Sequence, residues 1–256
     1  RHDIYPEYKA NRDETPEAIR FSIPIIKDLL KSFNITILEM KGFEADDIIG
    51  TVAKKASIES FRTFMVTPDK DYAQLVDDNT FMLKPARGGK EEELLNKNDI
   101  LEQWQINDIH QVIDILGLAG DSVDNIPGIP GIGPKTAQKL IFQYGSIENL
   151  IFNVNELKGK QKENVEKHKE NALLSKKLAT IDCNVPIKFE LKELVQGKID
   201  NKKLKEILIS LEFRTFLKRI FNEDALSVND NFSNIENEKT YNNISNIDHD
   251  YKNIST

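Results

Sequence analysis

The chain is 256 residues long, 39% hydrophobic and 30% charged, with a net charge of −7 and a single cysteine. That length supports one or two domains with a real core, and the lone Cys183 excludes an intrachain disulfide and points to a reducing compartment. No apolar run approaches the roughly 20 residues that span a bilayer, and no secretory signal pattern is read, so a cytoplasmic protein without a membrane partner is expected.

Residues 15–33 (TPEAIRFSIPIIKDLLKSF) place Ile19, Ile23, Ile26 and Leu30 at helical spacing, with Thr15 as N-cap and Pro16 at the first helical position. Residues 35–40 (ITILEM) read as a strand and Glu44 to about Ala56 as a helix. FRTFMVT (61–67) reads as a buried strand, KDYAQLV as a short helix and TFMLKP (80–85) as another strand. This alternation predicts a parallel α/β sheet, with Asp69 and Asp71 just beyond the carboxyl end of a strand, where such sheets bind ligands. From about residue 96 the pattern is helical: NKNDILEQW, INDIHQVIDILGL, GPKTAQKLIFQYG, a Lys-rich helix near 158–178, and a closing KLKEILISLEFRTFLKRIF. From about residue 223 the chain is Asn/Asp/Ser/Ile-rich without periodicity and reads as a flexible linker.

Seven carboxylates fall in three clusters: Glu44, Asp46 and Asp47; Asp69 and Asp71; Asp121 and Asp124. Acids gathered this closely repel one another, and hard divalent cations such as Mg²⁺ or Mn²⁺ relieve the repulsion. Taken singly, the first two clusters also read as helix caps and turn residues. The third leads into GIPGIGPKTA, where Gly128, Gly131 and Gly133 permit tight turns and close approach of another chain. Pro134 opens the following helix and Lys135 adds charge near its amides, an arrangement that binds phosphate without reading bases. Near the start, Lys9 and Arg12 lie three apart with Tyr5 and Tyr8 interleaved. They read either as a solvated amphipathic end or as cations for a scissile phosphate with rings that stack on unpaired bases. The lysines at 158, 160, 162, 167, 169, 176 and 177 read either as a solvated helix face or as a DNA-backbone surface.

The charge is unevenly spread. Residues 223–256 hold seven acids and two bases, which leaves −2 on the preceding 222 residues. With the seven clustered acids set aside as metal-neutralised, the rest of that body carries +5, a modest basic surface compatible with phosphate binding.

In order, YKANR, EADDIIGT, TPDKDYAQL and GDSVDNIPGIPGIGPKTA resemble the motifs of the 5′→3′ exonuclease domain of bacterial DNA polymerase I, in the flap endonuclease superfamily. The resemblance runs from Arg1 to about Phe221. It implies an α/β PIN-like nuclease core with an arch segment over residues 1–104, a helical subdomain with a helix–three-turn–helix over 105–222, and a linker over 223–256. It implies two Mg²⁺ or Mn²⁺ ions held by Glu44, Asp46, Asp47, Asp69, Asp71, Asp121 and Asp124, with Lys9 near the scissile phosphate, Arg12 in the arch, and Tyr8 stacked near the 5′ end beside Tyr5. Gly128, Gly131, Gly133, Lys135, Thr136 and Lys139 would grip duplex DNA, with a K⁺ ion held by the hairpin carbonyls. The implied activity is structure-specific 5′→3′ exonuclease and 5′ flap cleavage of DNA and RNA primers in replication and repair. The implied substrate is branched, flapped or nicked duplex DNA. A monomer, fused to downstream polymerase domains in some members, is expected.

The resemblance also implies an upstream segment supplying a first strand and two further aspartates. Without it, an incomplete metal site and an uncovered apolar sheet edge are expected. A noncatalytic module that binds branched DNA is therefore a second reading. An unrelated Mg²⁺-dependent phosphatase would account for the carboxylates but not for the hairpin.

Overall fold

In the computed structural model residues 1–221 are described; the linker expected over 223–256 lies outside them. The described residues form two units, Arg1–Pro16 with Leu38–Leu191, and Glu17–Ile37 with residues 192–221.

The first unit is built on a small sheet of β1 (Thr63–Val66), β2 (Thr80–Lys84) and β3 (Glu93–Leu95), in that spatial order. β1 and β2 run parallel, with Met65 opposite Met82, as expected. β3 was not anticipated and runs antiparallel to β2, with Met82 opposite Leu95, so the sheet is mixed rather than wholly parallel. The reason lies in PARGGKEE, where Gly88 and Gly89 both take positive φ and Arg87 pairs with Lys90, closing a tight hairpin instead of a crossover. Among the described residues β1 pairs on one side only, and it exposes Phe64 (45%) and Val66 (66%). Residues 35–40 do not form the expected strand; they cross from one unit to the other and no described strand lies alongside to take their backbone groups.

α2 (Ala45–Ile58) packs on β1 and α3 (Lys97–Trp104) on β3, while α4 (Gln111–Ala119), α5 (Pro134–Tyr144), α6 (Ile147–Phe152) and α7 (Gly159–Ala179) pack against one another. Met82, Ile100, Ile115, Leu118, Ile141 and Val165 are all but fully buried in one continuous core, each worth about 1.5–3 kcal/mol of burial. The expected KDYAQLV helix is a 3₁₀ turn, Lys70–Leu75. α6 escaped the sequence reading because six residues carry little periodicity; Ser146 caps it by accepting from Asn149 N–H at 3.2 Å. α4 is nearly apolar, and its one buried acid, Asp114, is answered by Lys176 of α7 at 2.6 Å and by Ile147 N–H at 3.0 Å. Lys176 also meets Glu148, so this lysine is committed inside the fold rather than free to meet DNA.

The second unit packs α1 (Glu17–Ser32) with α8 (Asn201–Ser210) and α9 (Arg214–Phe221). Its core is Leu204, Leu208, Ile209 and Leu217, with Leu29 and Phe33 beside them. The closing segment expected as one helix is two, broken at Leu211–Phe213, where Glu212 takes φ 55°. The stripe read in α1 is not buried along its length: Ile19, Ile23 and Ile26 are exposed, and only the C-terminal end packs. Among the described residues no helix is long and apolar enough to cross a membrane.

Candidate active site

The first twelve residues fold as successive turns, with Tyr5 N–H donating to Arg1 O at 2.9 Å and Tyr8 N–H to Tyr5 O at 3.0 Å. They are stitched to the loop carrying the third acidic cluster. Lys9 N–H donates to Asp124 O at 2.9 Å, Asn125 Nδ2 to Glu7 O at 2.7 Å and Asn11 Nδ2 to Ser122 O at 2.6 Å. Lys9 and Asn125 both take φ 56°, so two non-glycine residues hold left-handed backbone at the seam. Sequence reasoning missed Asn11 and Asn125, although asparagine beside such turns is a usable signal.

The seam places Lys9 Nζ between Glu44 (2.5 Å) and Asp124 (3.7 Å), and Arg12 pairs with Asp124. The two cations predicted for the site therefore lie among its acids. Tyr8 is 3% exposed, and its hydroxyl donates to Glu44 at 3.3 Å. Burial pushes that hydroxyl up to about 12. The ring expected to stack on a base is inside the core, with Tyr5 packed against the same core.

The acids reach the same region from separate elements. Glu44, Asp46 and Asp47 open α2, Asp69 and Asp71 follow β1, and Asp121 and Asp124 follow α4. Asp69 accepts from Asp71 N–H at 3.0 Å, as a cap does. Asp121 accepts from Val123 N–H at 2.8 Å and from Lys70 at 3.1 Å. Asp71 behaves differently. Its Oδ1 is buried with no hydrogen-bond partner. Burial, followed by the charges of Asp69, Asp121 and Asp124, pushes its carboxyl up to about 7 against the pull of Lys70. Asp46 is also raised, by burial first and then by Asp47 and Glu44, with Arg1 opposing.

Asp47 departs from expectation. It is 3% exposed and its carboxylate is saturated by a fork from Arg1 (2.8 Å to each oxygen), Asp182 N–H (2.8 Å) and Glu44 N–H (3.2 Å). The seven expected ligands thus do not form one ligand set in this arrangement. Among the described residues no three His, Cys, Asp or Glu are arranged to hold a metal ion. The remaining acids still suit a hard divalent cation: all donors are carboxylate oxygen, and the orphaned Asp71 Oδ1 is the kind of atom a cation satisfies.

The hairpin is fixed from within. Asp121 and Ile126 exchange both backbone bonds (2.9 and 2.7 Å). Gly128 takes φ 58° and lies so close to the end of α4 that a Cβ would sit 2.5 Å from Gly120 N. From α7, Ser175 Oγ accepts from Gly128 N–H at 2.9 Å and Asn164 donates to Pro130 O at 2.8 Å. Gly133 caps α5, with Pro134 next, and Lys135 and Lys139 are exposed while Thr136 is half-buried. Ser175→Ala removes the acceptor of a buried amide and is expected to cost about 1–3 kcal/mol, read as a lower urea midpoint together with faster exchange of the Gly128 amide.

A sheet ending in acids and followed by a tightly closed glycine hairpin defines a class before it defines a family. The same fold is present in T5 5′-exonuclease solved with divalent zinc ions bound (TM-score 0.62, 22% identity, 81% of this chain and 78% of that one). It recurs in the catalytic core of Rad2 in complex with a DNA substrate (TM-score 0.54, 18% identity, 90% and 73%). This is the PIN-like nuclease fold. Residues 1–105 match the family model described as 5′-3′ exonuclease, N-terminal resolvase-like domain, and residues 108–202 match that described as 5′-3′ exonuclease, C-terminal SAM fold. The 5′-3′ exonuclease of Aquifex aeolicus (strain VF5) is 36% identical over 220 residues, 86% of this chain and 73% of that protein. DNA polymerase I of Bacillus caldotenax is 37% identical over 221 residues, 86% of this chain and 25% of that protein. The chain belongs to the 5′-3′ exonuclease family. It spans about a quarter of the length of the DNA polymerase I relatives it matches.

Proposed function

We propose that this chain is a divalent-metal-dependent 5′→3′ exonuclease and 5′ flap endonuclease acting on branched, flapped or nicked duplex DNA. The observation that carries the reading is the meeting of Glu44 from the start of α2 and Asp124 from the loop after α4 on Lys9, together with the buried Asp71 Oδ1 left without a partner. Glu44, Asp46, Asp69, Asp71, Asp121 and Asp124 would hold two cations, Mg²⁺ or Mn²⁺, whose chemistry is to activate the attacking water and to stabilise the leaving oxygen. With these acids engaged by cations, Lys9 and Arg12 would be released from Glu44 and Asp124 and could offer charge to the scissile phosphate. Gly128, Gly131, Gly133, Lys135, Thr136 and Lys139 hold the duplex through its backbone, with K⁺ as a candidate ion at the hairpin carbonyls. In this reading residues 1–104 are the nuclease core and 105–222 the DNA-binding subdomain. The protein works as a cytoplasmic, nucleoid-associated monomer in replication and repair, joined to polymerase domains in its full-length form.

The pairing of Lys9, Arg12 and Lys70 with the acids favours a second reading, a noncatalytic module that binds branched DNA. A 5′-labelled flap duplex separates the two. Mg²⁺-dependent release of short labelled products by the wild type, absent in EDTA and with Asp121→Asn, is the expected result. Flap binding in Ca²⁺ without cleavage in Mg²⁺ or Mn²⁺ would replace the nuclease by the binding module.

A further inference from the structure

Arg1 was given no role by its sequence context, yet it makes the most complete set of side-chain bonds near the site. Its Nε donates to Leu178 O at 2.9 Å and one Nη donates to Thr180 O at 2.9 Å, at the C-terminal end of α7. The two Nη atoms also grip both oxygens of Asp47 at 2.8 Å. Four donors are thereby used, and Nη1 lies 3.8 Å from Glu44 Oε2. Asp47 in turn accepts from Glu44 N–H at 3.2 Å and from Asp182 N–H at 2.8 Å. A bidentate guanidinium–carboxylate pair with further amide donors is a pre-organised clamp, and a carboxylate with every lone pair engaged has little left for a metal.

We propose that Arg1 and Asp47 form a positioning latch, so that Asp47 is not a metal ligand but the group that fixes the start of α2 against the end of α7. Glu44 and Asp46 both precede the latched residue and are tied to it, Glu44 N–H donating to Asp47 at 3.2 Å and Asp47 N–H to Asp46 Oδ1 at 2.8 Å, so the latch aims their carboxylates at the ions. This rests on the proposed metal-dependent nuclease reading. It divides the acidic motif GFEADD by role: Glu44 and Asp46 bind and Asp47 holds.

The test uses the 256-residue chain, with Mn²⁺ as the probe, and the variants Arg1→Gln, Arg1→Lys, Asp47→Asn, Arg1→Gln/Asp47→Asn and Asp46→Asn. In EDTA, Arg1→Gln and Asp47→Asn are each expected to lower the thermal midpoint by roughly 10 °C, because each leaves a buried partner uncompensated. The double variant should lose little more than either single one, showing that the two act as a unit. Arg1→Lys keeps the charge without the fork and should fall between. Asp46→Asn should leave the midpoint in EDTA near the wild-type value while weakening Mn²⁺ by about tenfold or more in calorimetry, as loss of a ligand does. Additive losses in the double variant, or an Asp47→Asn chain that keeps its midpoint but loses Mn²⁺, would overturn the latch. Absence of Mn²⁺ binding by the wild type would instead remove the nuclease reading, and with it the latch's role in aiming Glu44 and Asp46, whatever the unfolding data show.

Discussion

Asp71→Asn is expected to lower flap cleavage by roughly 10³-fold or more, the scale set by losing a carboxylate that holds a catalytic ion, without any loss of stability in the metal-free protein. Asp71 is the acid whose environment is worst for a charge. It has a buried oxygen without a partner and three acidic neighbours in electrostatic reach. Its carboxyl titrates near 7 in the fold against 3.8 ordinarily, so ionisation is what the metal-free fold resists. The stability that the neutral group contributes is fully present below about pH 4, falls as pH rises through 7, and is gone above that. The span is on the order of 2–3 kcal/mol once partial exposure is allowed for. Urea unfolding in EDTA at pH 5 and pH 8 reads it. The wild type should be less stable at pH 8 by about two-thirds of that span, the part that lies between pH 5 and 7, and the Asn variant should lack that part of the slope. Added Mn²⁺ should stabilise the wild type more at pH 8 than at pH 5. An Asn variant that cleaves normally, or that is markedly less stable than wild type at pH 8 in EDTA, would show that this carboxylate is not held for an ion.

Much of this site was legible because its parts are short and contiguous. Asp69 and Asp71 had to follow β1, since an apolar run ending in Thr-Pro-Asp leaves the acids at the strand's carboxyl end, although β1 buries only Met65 rather than the whole run. The α5 start was readable from Gly133–Pro134, where glycine caps and proline fits the first turn. What stayed hidden depends on partners far along the chain. Arg1 meets carbonyls at 178 and 180, and nothing local marks an arginine that will do so. Asp47 and Asp46 are neighbours in sequence and both acidic, and only the fold assigns one of them to Arg1. Tyr8 read as part of a solvated end or as a ring that stacks on unpaired bases, whereas the successive turns of the first twelve residues bury it. β3 was lost for a different reason: three residues after a glycine turn give too little alternation to read. The exposed isoleucines of α1 show the same limit from the other side, since a helical period predicts a stripe but not what covers it.

Gly128→Ala is expected to cost roughly 3–5 kcal/mol, at the severe end for a single methyl, because strain and overlap act together. The left-handed backbone at φ 58° accounts for about 1–2 kcal/mol of that once a Cβ is present. The larger part is steric. The new Cβ would lie 2.5 Å from Gly120 N, 2.7 Å from Ala119 C and 2.8 Å from Gly120 Cα, all backbone atoms that no rotamer change relieves. Relief requires the two limbs of the loop to separate. That breaks the Asp121–Ile126 pair and withdraws the Gly128 amide from Ser175. One methyl group should therefore disturb an acid of the site and the hairpin together, lowering the urea midpoint, flap cleavage and flap affinity. Gly133→Ala supplies the contrast. Its φ of −88° suits any residue, and its Cβ would meet nothing within 4 Å. Folding should be unchanged within about 0.5 kcal/mol. The open space beside Gly133 is where a phosphate backbone would come, so this variant should fold normally and bind flap DNA more weakly. Unaltered flap affinity in a well-folded Gly133→Ala chain would move the DNA contact away from the start of α5, while the Gly128 result would still stand as a measure of how tightly the loop is closed.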